Sequence, residues 1–189
     1  MGIPTLIKTE TASNDATVSF VDGASSVVLD STYDEYMFVF TDIGAATDEV
    51  DFSFQVNATD DAGGGYDTSL VTSTHFRTYH YEDAAAANLG YDTGWDMAQA
   101  ADFIIIGGSI SNDADSSLAG ILNLFSPAST TYVKHFYYRG THMSLDGDNR
   151  YATDQFAAGY INDTTAIDEI QFKMSSGNFD GVIQLYGIA

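Results

Sequence analysis

Val50-Asp51-Phe52-Ser53-Phe54-Gln55-Val56 places an apolar residue at every second position, the period of a strand with one face buried and the other solvated. Thr74-His75-Phe76-Arg77-Thr78-Tyr79-His80-Tyr81 has the aromatic and β-branched content of a strand, with two faces of different character. Ile121-Leu122-Asn123-Leu124-Phe125 and Val182-Ile183-Gln184-Leu185-Tyr186 read the same way. Outward from these, strand patterns recur at Thr5 to Thr9, Glu35 to Thr41, Asp102 to Ile106, Tyr132 to Arg139, Tyr151 to Ile161 and Ala166 to Met174. Breakers separate them, and hairpin turns are expected at Asp60-Asp61-Ala62-Gly63-Gly64-Gly65, Ser111 to Ser117, Asp146-Gly147-Asp148-Asn149 and Ser175-Ser176-Gly177-Asn178. Gly107-Gly108 is expected to end the apolar run Phe103-Ile104-Ile105-Ile106. The one helix candidate, Glu82 to Asn88 around Ala84-Ala85-Ala86-Ala87, is too short to be stable and is expected as a turn or loop. About ten short strands with almost no helical periodicity predict an all-β fold, an antiparallel β-sandwich of jelly-roll-like form.

The length of 189 residues suits one domain spanning 1–189, and two Pro residues in the whole chain argue against linker-joined modules. An apolar fraction of 44% with 13% aromatics is enough for a real core. No stretch approaches the ~18 consecutive apolar residues of a membrane-spanning helix. Met1-Gly2-Ile3-Pro4 shows neither a basic n-region nor an apolar h-region, so the expectation is synthesis in the cytoplasm with no signal peptide. Cysteine is absent, which removes disulfides, thiolate metal sites and a cysteine nucleophile.

Charge is the most unusual property. Twenty-seven acidic residues stand against six basic ones, a net charge of −21. Most of the acids are Asp, a turn and loop residue whose side chain bonds its own local backbone. A field of this sign repels nucleic acid and anionic membrane. It keeps a particle dispersed where salt screens self-repulsion over less than ~10 Å, as in a saline setting.

Catalytic constellations are missing from the pattern. His75 and His80 lie an odd number of residues apart on a strand, so they point to opposite faces and cannot form a two-histidine metal pair; His135 and His142 repeat the problem. The expectation is surface or interface histidine and no enzyme. A polysaccharide-cleaving site would need two carboxylates ~5–9.5 Å apart across a groove, and no segment points to one. Gly107-Gly108 after a strand does not open a phosphate loop, because no Lys follows and Asp113 and Asp115 would repel phosphate. Asn57-Ala58-Thr59 and Asn162-Asp163-Thr164 match the glycosylation triplet, which has no meaning without export. No cofactor is expected. Calcium, which takes oxygen ligands, has its best candidates at Asp113 and Asp115 and at Asp146 and Asp148, although neither loop follows the twelve-residue template and tight-turn chemistry explains both.

The aromatic residues carry more information. Tyr79 and Tyr81 share one strand face, and Trp95 lies in the loop-like stretch Gly90 to Asp96. Tyr and Trp beside carboxylates can hold a sugar by stacking on its apolar face while the acids accept hydroxyl protons. Aromatic residues also build sandwich cores and subunit interfaces, which is the stronger expectation.

Leu6 to Ser13 and Ser31-Thr32-Tyr33-Asp34-Glu35-Tyr36-Met37-Phe38-Val39-Phe40, with Ser126 to Phe136, Ile167 to Phe172, Ser176 to Phe179 and Leu185-Tyr186-Gly187-Ile188, resemble structural proteins of tailed bacteriophages, many of them from marine hosts. The resemblance covers nearly the whole chain, and its motifs are structural. It implies a virion-surface component, made in the host cytoplasm, folded as a β-sandwich and built into a symmetric assembly. The first expectation is a capsid decoration or cement protein, a homotrimer docking on the major capsid protein. The alternative is a tail-fibre or receptor-binding module that recognises host surface glycan through Tyr79, Tyr81 and Trp95. Gly2 to Thr9 is the expected docking arm, with Ile3, Leu6, Ile7 and Lys8 as its contact residues.

Overall fold

The computed structural model describes residues 2–59, 66 and 69–189. The described residues form thirteen strands and no helix. In chain order they are β1 (Thr5–Asp15), β2 (Thr17–Val21), β3 (Glu35–Ala45), β4 (Val50–Ala58), β5 (Val71–Tyr81), β6 (Ala87–Tyr91), β7 (Met97–Ala100), β8 (Ile104–Ile110), β9 (Leu118–Phe125), β10 (Lys134–Asp146), β11 (Asn149–Ile161), β12 (Ile167–Met174) and β13 (Phe179–Ile188). All pairings are antiparallel.

One layer runs β1-β13-β3-β9-β10-β11-β5, with β6 and β7 placed in tandem along the outer edge of β5. The other runs β8-β4-β12-β2. The layers join where Ser144 of β10 pairs with Ile110 of β8, and β1 and β2 adjoin at Asp15 to Thr17. The result is a jelly-roll-like sandwich that nearly closes into a barrel.

Alternation fixes the core. Tyr36, Phe38 and Phe40 of β3, Leu122 and Leu124 of β9, and Ile183 and Leu185 of β13 face inward from the first layer. Phe52 and Phe54 of β4, Ile170 and Phe172 of β12, and Phe20 of β2 meet them from the second. Phe172 is the hub, with its ring centroid between 5.2 and 6.3 Å from those of Phe20, Phe38, Phe40, Phe52 and Phe54. Four of these pairs are edge-to-face or tilted and the one with Phe52 is stacked, geometries that add to simple area burial.

Several local expectations change in the fold. Of the four breaker clusters, Asp146 to Asn149 closes a hairpin, β10 to β11, with Gly147 at φ +61°, the first central position at which a two-residue turn needs Gly. Ser111 to Ser117 and Ser175 to Asn178 join strands that are not neighbours, since a sandwich passes the chain from layer to layer. Asp60 to Gly65 lies outside the described residues. Gly107 and Gly108 lie within β8 and do not end it. They are small because a Cβ on Gly107 would come within 2.3 Å of Leu118 and one on Gly108 within 2.2 Å of the Trp95 ring. Glu82 to Ala86 turns, and β6 begins at Ala87.

The expected docking arm is a strand. Thr5, Leu6, Lys8 and Thr9 pair with Gly187, Tyr186, Leu185 and Gln184 of β13. Ile7 is bulged out of the ladder and packs against the core, and Lys8 forms an ion pair with Glu10 at 3.3 Å. Ile3 and Leu6 remain outside, 87% and 50% exposed.

Candidate functional site

Because β5 alternates, it offers two surfaces. On the inner face Val71, Ser73 and His75 are buried, while Arg77, Tyr79 and Tyr81 are half-buried toward the strand's end. On the outer face Thr74, Phe76, Thr78 and His80 are exposed.

The inner face ends in a cleft of about 430 Å³ bounded by Glu49, Arg77, Tyr79, Tyr81, Asp146 and Tyr151, with Ser109 and Leu145 completing its wall. Register builds it: Tyr81 pairs with Tyr151 of β11 and Tyr79 with Thr153. The Tyr81 and Tyr151 rings stack at 4.9 Å and 17°, and Tyr79 lies against both at 5.7 Å. The Tyr81 hydroxyl donates to Asp146 Oδ2 at 2.8 Å, which pushes its pKa up to about 12. Arg77 is anchored to Asp92 at 3.2 Å, and its guanidinium lies 4.3 Å from the Trp95 ring centroid and 5.6 Å from that of Tyr79.

Tyr79 and Tyr81, expected as a sugar platform, therefore stand together in one cleft. Trp95 does not join them. Arg77 covers its ring, His75 lies 5.2 Å from it, and Gly108 of β8 sits against its edge. The sequence reading did not place Tyr151, Arg77, Glu49 or Asp146 in this site. The register of β5 on β11 carries that information, and it depends on pairing over a separation that no local pattern reveals.

Behind the cleft the inner face is polar and closed. His75 and His142, expected at the surface or an interface, are buried. His142 Nε2 meets the Gly108 carbonyl at 2.8 Å, and the Gln155 side-chain oxygen accepts from Gly108 N at 3.2 Å. Both ring nitrogens of His75, Nδ1 of His142, Nε2 of Gln155 and the Tyr138 hydroxyl are buried without a hydrogen-bond partner. Burial holds both imidazoles neutral, pushing His75 and His142 down to about 4.

Two of the four calcium candidates, Asp113 and Asp146, hold other partners. Asp113 accepts two hydrogen bonds from Arg150, at 2.6 and 3.0 Å, and one from Ser111. The Arg150 bonds are the first cause of its lowered pKa. Asp146 accepts from Tyr81. Asp115 and Asp148 are exposed. Among the described residues no three His, Asp or Glu side chains are grouped so as to hold a metal ion.

The outer face of the first layer carries a mainly apolar row with Arg139 at its middle. Val39 of β3, Ile121 of β9, Arg139 of β10, Phe156 of β11, Phe76 of β5 and Tyr91 of β6 are successive cross-strand partners. Phe76 and Phe156 stack at 4.8 Å and 8°, and the Arg139 guanidinium lies 4.8 Å from the Phe156 ring while it pairs with both Asp154 oxygens at 3.2 and 3.0 Å. Tyr137, 46% exposed, flanks the row beside Phe125. Comparison of the chain with family models, with curated proteins and with solved structures returns no match.

Proposed function

We propose that the protein is a non-catalytic structural subunit of a phage virion, of the capsid decoration or cement kind, which assembles with copies of itself through the outer face of its first layer and in that form docks on the capsid. The observation that carries this reading is the row Val39, Ile121, Arg139, Phe156, Phe76 and Tyr91, which crosses six strands on the outer face with Val39 and Phe156 half-buried and the other four exposed. A contiguous exposed apolar strip on a single-domain surface marks an interaction site.

Charge favours a second copy as the occupant. Elsewhere the molecule carries a large excess of carboxylates, so most encounters between copies are repulsive. The row itself carries one cation, Arg139, already paired with Asp154, and is close to neutral. Association there keeps the acidic remainder in water, where it would hold particles apart. An aromatic and Arg composition is also what interface centres favour.

Light scattering of the purified protein at moderate salt, followed by incubation with undecorated phage capsids, tests the reading. The expected result is a stable oligomer that adds to capsids in lattice stoichiometry, with Phe156→Asp and Ile121→Asp giving folded monomers that do not add. A wild-type monomer at all concentrations that ignores capsids would overturn it.

A further inference from the structure

We propose that the cleft between Tyr79, Tyr81, Tyr151, Glu49 and Asp146 is a binding site for a neutral hexose unit of a glycan. The site is distinct from the docking face, because Tyr79 and Tyr81 project to the inner side of β5 and Phe76 and Thr78 to the outer side. The two can therefore be tested independently.

The first ground is a preset stacking platform. Tyr81 is held from below by Tyr151 at 4.9 Å and clamped at its hydroxyl by Asp146 at 2.8 Å. Tyr79, tilted 45° to Tyr81, forms the second wall. A ring held in this way loses little freedom when it meets the apolar face of a pyranose, so the contact keeps most of its value.

The second ground is the supply of polar groups. Glu49 and Asp146 offer acceptors, Arg77 offers donors and the Ser109 hydroxyl offers both, all on the wall of one concavity of about 430 Å³. That volume falls within the range of small-molecule sites, and beside the tyrosine rings the exposed lining is predominantly polar. Vicinal hydroxyls need this mixture of donors and acceptors around an aromatic floor.

The third ground is charge, which narrows the ligand class. The mouth carries Glu49 and Asp146 on a molecule of net charge −21, so uronate, sialate and phosphate are repelled. A cationic ligand is disfavoured for a different reason. Arg77 already occupies the cation position over Tyr79 and Trp95 and is neutralised by Asp92. A neutral polyol with one apolar face is the ligand that remains.

The experiment is an array of neutral glucose, galactose and mannose oligosaccharides beside uronate- and sialate-bearing ones, probed with the full chain and followed by titration of the best neutral binder. Selective retention of neutral glycans is expected. Tyr81→Ala should weaken binding about tenfold or more, and Asp146→Asn, which preserves packing, should weaken it less. Thr78→Ala, exposed on the opposite face of the same strand and outside the apolar row, should leave it unchanged. Binding to anionic glycans in preference to neutral ones, no retention of any neutral glycan, or equal loss in Thr78→Ala and Tyr81→Ala would each overturn the proposal. A monomeric, capsid-indifferent protein that still binds neutral glycan through Tyr81 would refute the docking reading alone.

Discussion

Phe172 meets five other phenylalanines drawn from both layers, so its removal leaves a cavity that no single neighbour can collapse into. Phe172→Ala is expected to destabilise the fold by about 3–5 kcal/mol, read as a lower urea midpoint with an unchanged slope. Tyr138 presents the opposite case. Its ring is needed, lying 6.2 Å from Phe40, but its hydroxyl is buried without a partner. Desolvation raises its pKa, and nothing within reach offsets the cost of burying the group. Tyr138→Phe is therefore expected to leave the stability read from urea unfolding unchanged or to raise it by up to about 1–3 kcal/mol. A clear loss of stability would mean that an internal water satisfies the hydroxyl. Gly140 exists to seat that ring, since a Cβ there would stand 1.8 Å from the hydroxyl and 3.0 Å from the Ala119 carbonyl. Gly140→Ala should destabilise by about 1–3 kcal/mol in the same assay, through overpacking.

Among the elements, the β10–β11 hairpin and its neighbour β5 hold both the polar interior and the cleft, and they show what local sequence can reveal. Most strands were legible: β1, β3, β4, β5, β8, β9, β10, β11, β12 and β13 each overlap an expected segment, because a half-buried strand writes its period into every second residue. The short strands β2, β6 and β7 were not legible. Ala87-Asn88-Leu89-Gly90-Tyr91 and Met97-Ala98-Gln99-Ala100 are too short for a pattern to tell strand from loop, and they are strands because β5 lends them an edge. The two glycines of β8 looked like a terminator because their purpose, close approach to Trp95 and Leu118, is tertiary. For the cleft, the pair Tyr79 and Tyr81 was readable from spacing, whereas Tyr151 and Arg77 needed the register. Buried histidine was missed for the same reason: His75 and His142 sit in strands with mixed faces, and only packing says which face is dry. This layer sets a pH response. Both imidazoles are depressed to about 4 in the fold by burial, with Asp92 opposing at His75 and the Gly108 carbonyl opposing at His142. Arg77 faces both of them and disfavours their protonation, and Asp96 faces His75 and favours it. The unfolded chain protonates them near ~6.5. Between those values the unfolded state binds the extra protons, so stability must fall as pH drops, by about 1.4 kcal/mol per pH unit for each histidine, and level off near 4. Half-buried Asp51, whose pKa desolvation raises, works in the opposite direction at the acid end. Urea midpoints measured from pH 7.5 to 4.5 should decline with that slope, and His75→Gln with His142→Gln should flatten the profile. A flat wild-type profile would mean that the imidazoles are charged or solvated in the fold.

Across the whole molecule the decisive fact is that the basic residues are already committed. Lys8 pairs with Glu10, Arg77 with Asp92, Arg139 with Asp154 and Arg150 with Asp113. Lys134 is buried and donates to the Asp163 and Thr165 carbonyls, and Lys173 lies 3.8 Å from the Phe103 ring centroid. Twenty-seven acids share those six cations, so the outer field is one of uncompensated carboxylates and acts against the compact state. Salt should relieve it. The Debye length shortens from about 30 Å at 0.01 M to about 10 Å at 0.1 M and about 3 Å at 1 M, below the spacing of most surface charges. The thermal midpoint is therefore expected to rise between 0.01 and 0.1 M sodium chloride and to gain less above that, at about 2–4 °C for each kcal/mol of repulsion removed in a chain of this size. An equal concentration of sucrose, which strengthens burial without screening charge, separates the two causes. The same titration bears on assembly, because copies that meet through the Phe76 and Phe156 row must first bring their acidic flanks together. Oligomer mass should then climb with salt over the same interval as the midpoint. A midpoint that rises while the mass stays monomeric would assign the repulsion to the fold alone and leave the apolar row to a partner that is not itself acidic.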